Sequence, residues 1–460
     1  MQTLLYRWLL LIGFGHIALG VVFAFSAYLP LTQGYLDYLS ASISNSPPAA
    51  EFEGLLRTQV ALFGPTVASW GILFCTLVIL YRHSQQRLIK PALYAALIVW
   101  SVLDSAISLS FDLNLHAYLN SAVALSLALP LYWLKPHRLV VPPPITLSHP
   151  PAARLRVLIT GGSGFIGSPL ASALSAAGHD VQVLTRDPAN LRNIRARVTY
   201  LTHLDQIADN ERIDVIINLA GEPLAGGRWS ERSKRRFLDS RLQTTNDLLL
   251  LVQRLQHKPE VLLSGSAVGY YGHWQAQTLD EDSQPRDCYS HQLCAQWENR
   301  AQEMRTQGVR VCLLRIGVVL GPQGGPLQEL RRPFELGVAT QLGDGKQWLP
   351  WIHLHDVLDA CAFLITTKAI HGAVNLTAPA PVTQSEFCQQ MRGQVRQALL
   401  TIKVPAWLAR LLVGEMADEV LLSGQRVLPQ KLLAHGYRFR FAELEPALRD
   451  LLKNQGRRMN

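Results

Sequence analysis

The six cysteines, Cys75, Cys288, Cys294, Cys312, Cys361 and Cys388, contain no Cys-x-x-Cys pair and no metal-ligand spacing. That absence excludes a zinc ribbon and argues against a disulfide framework, so the thiols read as reduced and no metal is expected. Charge is scarce as well. Only 17% of residues are charged, against 48% hydrophobic, and the mean hydropathy is +0.12. This is too apolar for a wholly soluble enzyme and too charged for a pure membrane protein. Acid is the scarcer sign, giving a net charge of +9. No aromatic-basic RNA- or DNA-binding module is seen, and the apolar N-terminus favours positive loops beside a membrane as the explanation.

What is present divides in two. The 460 residues suggest roughly two to three units. Four apolar runs fill the first third: Leu4–Leu29, Val60–Tyr81, Pro91–Phe111 and His116–Leu134. Each is near the roughly 20 residues that a helix needs to cross a bilayer. The first is too long for a cleavable signal and is followed by the others. The loop after the second run carries Arg82, Arg87 and Lys90 and no acid; the loop after the first carries Asp37, Glu51, Glu53 and Arg57. Positive charge stays in the cytoplasm, so the N-terminus and everything after the fourth run are expected there, at the cell (inner) membrane. Lys135 and Arg138 agree, and Tyr81, Tyr132 and Trp133 sit where interfacial aromatics belong. Asp104, inside the third run, is expected to pair with His16 or Arg7, or to bind a proton or small ligand.

The expected domains are a four-helix transmembrane domain over 1–135, a stiff Pro-rich linker over 136–154, a nucleotide-binding domain over 155–400 and a C-terminal piece over 401–460. From Leu155, short aliphatic runs alternate with amphipathic stretches. Strands are expected at Arg156–Thr160, Asp180–Leu184, Val215–Leu219, Val261–Ser264 and Val311–Ile316. That rhythm predicts an α/β fold, a Rossmann-like parallel sheet with helices on both faces and a small helical appendix.

The strongest motif is Thr160-Gly161-Gly162-Ser163-Gly164-Phe165-Ile166-Gly167, set between an apolar strand and a helix. A lone glycine pattern says little; this strand–turn–helix context makes it a dinucleotide site. Gly161 permits the tight turn, Gly164 lets backbone approach the pyrophosphate, and Gly167 lets helix and strand close up. The helix N-terminus then offers free N–H groups to phosphate. Arg186, after the second strand, selects NADP rather than NAD by facing a 2′-phosphate; Asp187, one step on, is the residue that would select NAD. Small residues at Leu219-Ala220-Gly221 let the chain pass close to the cofactor, or simply end a packed strand.

These motifs, with NLAGEPLAGGRWSERSKRRFLDSR, SGSAVGYYG, LRIGVVLG, GDGKQWLPWIHLHD and the stretch from Val404 to Phe441, resemble the extended short-chain dehydrogenase/reductase superfamily. More closely they resemble its atypical epimerase-family branch, described as nucleotide-sugar epimerases or cell-division-inhibitor-like proteins. The resemblance covers about residues 155–455 in order; the N-terminal helices are an addition to it. It implies a Rossmann-like fold and NADP binding. It also implies a Tyr-x-x-x-Lys pair, in which the ammonium lowers the tyrosine pKa for proton exchange. That pair is missing: four residues after Tyr289 stands Leu293, and no lysine falls between Pro259 and Gly345. The serine of the usual triad matches Ser266, with Ser264 the alternative. Tyr271 and Tyr289 are the candidate proton carriers, and Tyr270 adds another phenol.

Arg228, Arg232, Lys234, Arg235, Arg236 and Arg241 form a basic cluster broken by Trp229 and Phe237. It reads as a substrate anion site, a contact for acidic lipid headgroups or a solvated helix face; the family's motif singles out Arg241 and Trp229. His353 lines a substrate pocket or supports the fold, and Asp356 is the expected N-cap of the following helix. Cys288 and Cys294 flank Tyr289 and read as inert thiols. The expected function is NADP-dependent oxidoreductase or epimerase chemistry on an unidentified small carbonyl or hydroxyl compound. The alternatives are a non-catalytic NADP(H)-binding sensor for a membrane partner, and a membrane bundle with its own redox role. The bilayer is the one macromolecular partner expected; nucleic acid is not, and self-association is left open.

Overall fold

The structure is a computed structural model of the chain. It describes residues 2–25, 33–43, 50–83, 88–134, 145–186, 197–224, 228–322, 324–335, 338–395 and 400–456. Arg87, Lys135, Arg138, Asp187, the end of the first apolar run and the first part of the Pro-rich stretch lie outside these residues. The chain divides into two compact units, 1–140 and 141–458.

The first unit is all helical: α1 Gln2–Ala24, α2 Gln33–Ile43, α3 Ala50–His83, α4 Ile89–Ser110 and α5 Asn114–Trp133. Four of these are long and apolar enough to cross a membrane, at Leu4–Ala24, Phe52–Arg82, Ile89–Ser110 and Asn114–Trp133. The second span begins eight residues before the apolar run does, because charged residues of its first turns, such as Glu53 and Arg57, hydrogen bond to each other at 2.8 Å along the helix. Large apolar side chains such as Phe14, Leu62, Val102 and Leu119 point outward.

Glycines bring α1 and α3 together. A Cβ on Gly20 would stand 2.4 Å from the Ala68 nitrogen, and one on Gly64 would stand 2.4 Å from the Ala24 nitrogen. Backbones that close gain packing contacts which larger residues would prevent, the usual device of helices in lipid. Gly20→Leu is therefore expected to cost about 1–3 kcal/mol by overpacking. Thermal unfolding in detergent measures this, and an unchanged midpoint would contradict it. Asp104 accepts a hydrogen bond from Asn120 of α5, not from His16, whose ring lies against Trp70. Arg7 is exposed. This is an interhelical polar pair, and it corrects the expected partners.

The second unit is built on seven parallel strands: β1 Arg156–Thr160, β2 Asp180–Leu184, β3 Val198–Leu201, β4 Val215–Asn218, β5 Val261–Ala267, β6 Arg310–Ile316 and β7 Gly372–Leu376. Their order is β7-β6-β5-β4-β1-β2-β3. The expected α/β fold is the one found. Alternate residues feed two cores. Val157, Ile159, Ile217 and Leu263 pack on α6 Gly167–Ala176 and α10 Leu354–Thr366. Leu158, Ile216 and Leu262 pack on the other face, with Leu248 and Val252 of α7 Glu231–Arg254. Period-two alternation places consecutive side chains on opposite faces, and both faces are covered, so the strands read as unbroken apolar runs.

Strand β1 continues to β2 on one side, while β4 lies on its other side, so the order reverses between β1 and β4. In open sheets of this kind that switch point is where ligands bind. The late Pro-rich residues are packed against this unit. Leu147 is buried in its core, and Ser148 binds Asp359 through its backbone N–H and its Oγ, at 2.6 and 2.8 Å. At the C-terminal end, α11 Gln384–Gln394 and α14 Leu444–Gly456 share a third core with Trp351 and with Phe334 of α9 Pro326–Glu335. Between them lie the short helices α12 Ala406–Val413 and α13 Gln430–Ala434.

Candidate functional site

The chain leaves β1 at Thr160, turns through residues 161–166 and enters α6 at Gly167. Gly161 has φ +68°, and a Cβ on it would stand 2.6 Å from the Leu219 carbonyl oxygen. A Cβ on Gly167 would stand 2.3 Å from the Gly161 oxygen. Only hydrogen fits at either position. Gly164 differs: apart from the Gly161 oxygen at 3.1 Å, a Cβ there would meet nothing within 4 Å. The backbone at Gly164 is thus open to a ligand. No acid lies in the first turn of α6 and no side chain caps it. Ser168 and Leu170 donate to the Gly164 and Ile166 oxygens at 3.0 and 3.1 Å, and residue 169 is proline, so the Gly167 N–H and the positive end of the helix are what face a phosphate.

The other residues of the loop serve it less directly. Ser163 is exposed; Phe165 and Ile166 are half-buried. The Phe165 ring fills the space over Gly321 and Gly325, whose Cβ atoms would fall 2.7 and 2.5 Å from it. Gly162 lies against Val183. The Thr160 hydroxyl is buried and donates to Asn218 at 2.6 Å, and Asn218 donates to Thr245 at 3.0 Å. Thr160 therefore ties strand ends together. Leu219 and Ala220 are half-buried and Gly221 is exposed beside the loop. Arg186 is exposed just past β2.

A cation closes the same rim. The Arg241 guanidinium lies 3.0 Å from where a Gly221 Cβ would be. It donates to the Phe237 and Glu222 carbonyl oxygens at 2.8 and 3.2 Å and faces the Trp297 ring at 5.2 Å. Burial pulls its pKa below the ordinary arginine value. Nearby carboxylates are engaged elsewhere: Glu222 with Arg236 at 3.1 Å, and Glu415 with Lys234 at 2.6 Å. Among the described residues none pairs with Arg241.

Tyr289 opens helix α8 Tyr289–Gln302. It is half-buried and donates to the Lys234 backbone oxygen at 3.1 Å. Trp229 packs edge-on to its ring at 5.2 Å, and the Lys234 ammonium lies over that ring at 4.9 Å. Burial raises its phenol pKa, and the cationic Lys234 and Arg241 pull it back. Lys234 of α7 thus faces Tyr289, where α8 has no lysine, but it is paired with Glu415 and the net shift of the phenol stays upward. Lys234 was visible in the sequence only as one charge in a cluster, since no spacing links it to Tyr289.

Ser266 and Tyr271 belong to a buried network. Ser266 donates to Glu298 at 2.6 Å. Glu298 accepts both arms of Arg315 at 2.9 Å. Arg315 donates to the Tyr271 oxygen at 3.0 Å, and Tyr271 donates to Asn375 at 2.7 Å. Tyr271 has no exposed surface, and burial pushes its phenol up to about 12. A phenol so placed keeps its proton. The Ser264 hydroxyl is buried without a partner.

His353 is fully buried. It caps α10 by accepting from the His355 N–H at 3.0 Å, and its ring stacks on Phe441 at 3.9 Å. This support of the C-terminal segment is its role in the geometry, and it displaces Asp356 from the expected cap position. The Asp356 carboxylate instead accepts from the Arg440 and Phe441 N–H groups at 2.7 and 3.0 Å. Burial pushes the Cys294 thiol up to about 11, which fits an inert thiol.

Comparison with known proteins places this architecture. The sequence matches the NAD dependent epimerase/dehydratase family over residues 157–376, and a domain of unknown function, DUF1731, over residues 404–451. It is 34% identical to the epimerase family protein YfhF of Bacillus subtilis over 308 residues, covering 65% of this chain and 99% of that protein. The structure is similar to that of the human epimerase family protein SDR39U1 (isoform 2), solved with NADPH. That likeness has 31% identity and a TM-score of 0.60, covering 65% of this chain and 100% of that one. A nucleoside-diphosphate sugar epimerase from Corynebacterium glutamicum is similar at 28% identity and a TM-score of 0.53, covering 65% of this chain and 58% of that one.

Proposed function

Because the chain belongs to the NAD-dependent epimerase/dehydratase family, we propose that it is a membrane-anchored, NADP(H)-dependent oxidoreductase or epimerase-like protein whose small carbonyl or hydroxyl substrate carries an anionic group. One observation carries this reading: an open glycine loop and a cation without a carboxylate partner, Arg241, border the same rim. The loop backbone at Gly164 and the first turn of α6 hold the pyrophosphate, and Arg186 faces the 2′-phosphate. When bound, NADP(H) supplies or accepts a hydride. A half-buried guanidinium without a carboxylate partner favours an anion, so Arg241 positions the substrate's carboxylate or phosphate.

Of the three candidate hydroxyls, Tyr289 is the proton carrier in this reading. Tyr271 and Ser266 are buried, whereas Tyr289 is half-buried and would exchange its 3.1 Å hydrogen bond to the Lys234 backbone oxygen for one to substrate. The four long apolar helices anchor the protein, with its N-terminus and second unit on the cytoplasmic side, where the positive loops lie.

The test is NADPH consumption by the full chain in detergent, with a panel of carbonyl compounds bearing a carboxylate or phosphate. Arg241→Met should lower kcat/KM at least tenfold, about 1.4 kcal/mol, and should spare uncharged analogues. Equal loss for charged and uncharged compounds would overturn the anion role. Ser266 favours a second reading, nucleotide binding without turnover, because its hydroxyl is committed to Glu298. Tight NADPH binding with no consumption across the panel would select that reading.

A further inference from the structure

Three residues far apart in sequence converge beside Tyr289: His273, Cys288 and Glu419. Their ligand atoms all lie within 4.8 Å of one another. His273 follows the turn at Gly272, Cys288 is the N-cap of α8, and Glu419 comes from the short turn at Ala417–Leu421. We propose that His273, Cys288 and Glu419 form a zinc-type metal site that clamps the C-terminal segment to the start of α8.

The donor set suits the ion. Thiolate, imidazole and carboxylate are the zinc donors, and three protein ligands leave a fourth position for water. His273 Nε2 lies 3.4 Å from Glu419 Oε1. That is already the edge of a tetrahedron whose bonds are about 2.1 Å long. The thiolate and the carboxylate together neutralise a divalent ion, so it can sit near a helix N-terminus without adding net positive charge there.

The residue choice at the cap points the same way. Cys288 Sγ accepts from the His291 N–H at 3.4 Å, but sulfur is a weak acceptor, and Ser, Thr, Asp or Asn caps a helix better. Capping alone does not call for sulfur, whereas metal ligation does. Glu419 has a capping role of its own. It accepts from the Ser290 N–H and Oγ at 3.1 and 2.6 Å through Oε2, and from the Tyr289 N–H at 3.3 Å through Oε1. The long contact leaves Oε1 a lone pair for an ion.

The test uses the full chain in detergent, titrated with Co(II) alone and then with Zn(II). The site predicts one Co(II) per chain, a sulfur-to-cobalt charge-transfer absorption, and displacement of cobalt by zinc. Cys288→Ser improves the helix cap while removing the soft ligand. It should abolish that absorption and weaken metal binding at least tenfold, without lowering the unfolding midpoint of the metal-free protein. Cys288→Asp, which keeps both a cap and a ligand, should bind the ion without the absorption. No saturable binding by the wild type, or identical spectra for wild type and Cys288→Ser, would overturn the proposal.

Discussion

Glu298→Gln is expected to destabilise the second unit by about 3–5 kcal/mol. Arg315 and Glu298 are almost wholly buried and form a two-armed pair at 2.9 Å. Neutralising the acid leaves a guanidinium enclosed beneath the Tyr270 ring, 3.4 Å from its centroid. The remaining partners, the Tyr271 oxygen and the Glu281 carbonyl, are neutral acceptors at 3.0 and 3.4 Å. Neither offsets a desolvated charge. The damage should reach the C-terminal segment, because Asn375 joins Tyr271 to the Leu428 carbonyl at 2.9 Å. Denaturant unfolding of the full chain measures the loss; a change below about 1 kcal/mol would mean that water reaches Arg315.

That network shows where the sequence is informative and where it is not. The strands β1, β4, β5 and β6 were legible because both faces of each are largely buried, so their apolar stretches are long, whereas β2 was legible from alternation, with Val181 and Val183 buried between Asp180, Gln182 and Leu184. The edge strands escaped. Val198–Leu201 has four residues, and Gly372–Leu376 carries a buried asparagine that breaks the apolar run. The glycine loop was legible because its constraints are local: a left-handed turn and a helix start lie within eight residues. The pairing of Ser266 with Glu298, the approach of Lys234 to Tyr289 and the meeting of His273, Cys288 and Glu419 are long-range contacts set by the fold, and no spacing announces them. Arg315, a charge inside an apolar strand, was the one visible sign of the buried network. His353 left two readings open for a related reason: only the fold brings Phe441 over its ring, at 3.9 Å.

The second large effect is on the nucleotide. Gly161→Val should reduce NADPH affinity at least a hundredfold, about 2.7 kcal/mol. The position has φ +68°, which alone costs a side-chain-bearing residue about 1–2 kcal/mol. Its Cβ would also press to 2.6 Å from the Leu219 oxygen, which is backbone and cannot rotate aside. The turn, closed by the Gly164 N–H on the Gly161 oxygen at 3.0 Å, must open, and the loop backbone at Gly164 then no longer lies beside the start of α6. Isothermal titration with NADPH measures the loss. Affinity within a few-fold of wild type would show that the loop is not the phosphate cradle.

Whether this chain holds NADP(H) is decided by titrating the full chain in detergent with NADPH and with NADH, following nucleotide fluorescence, for wild type and Arg186→Ala. NADPH should bind more tightly than NADH, Arg186→Ala should remove that preference, and NADH affinity should be the same in both proteins. A folded protein that binds neither nucleotide, or that prefers NADH whatever stands at position 186, would contradict the NADP(H) reading.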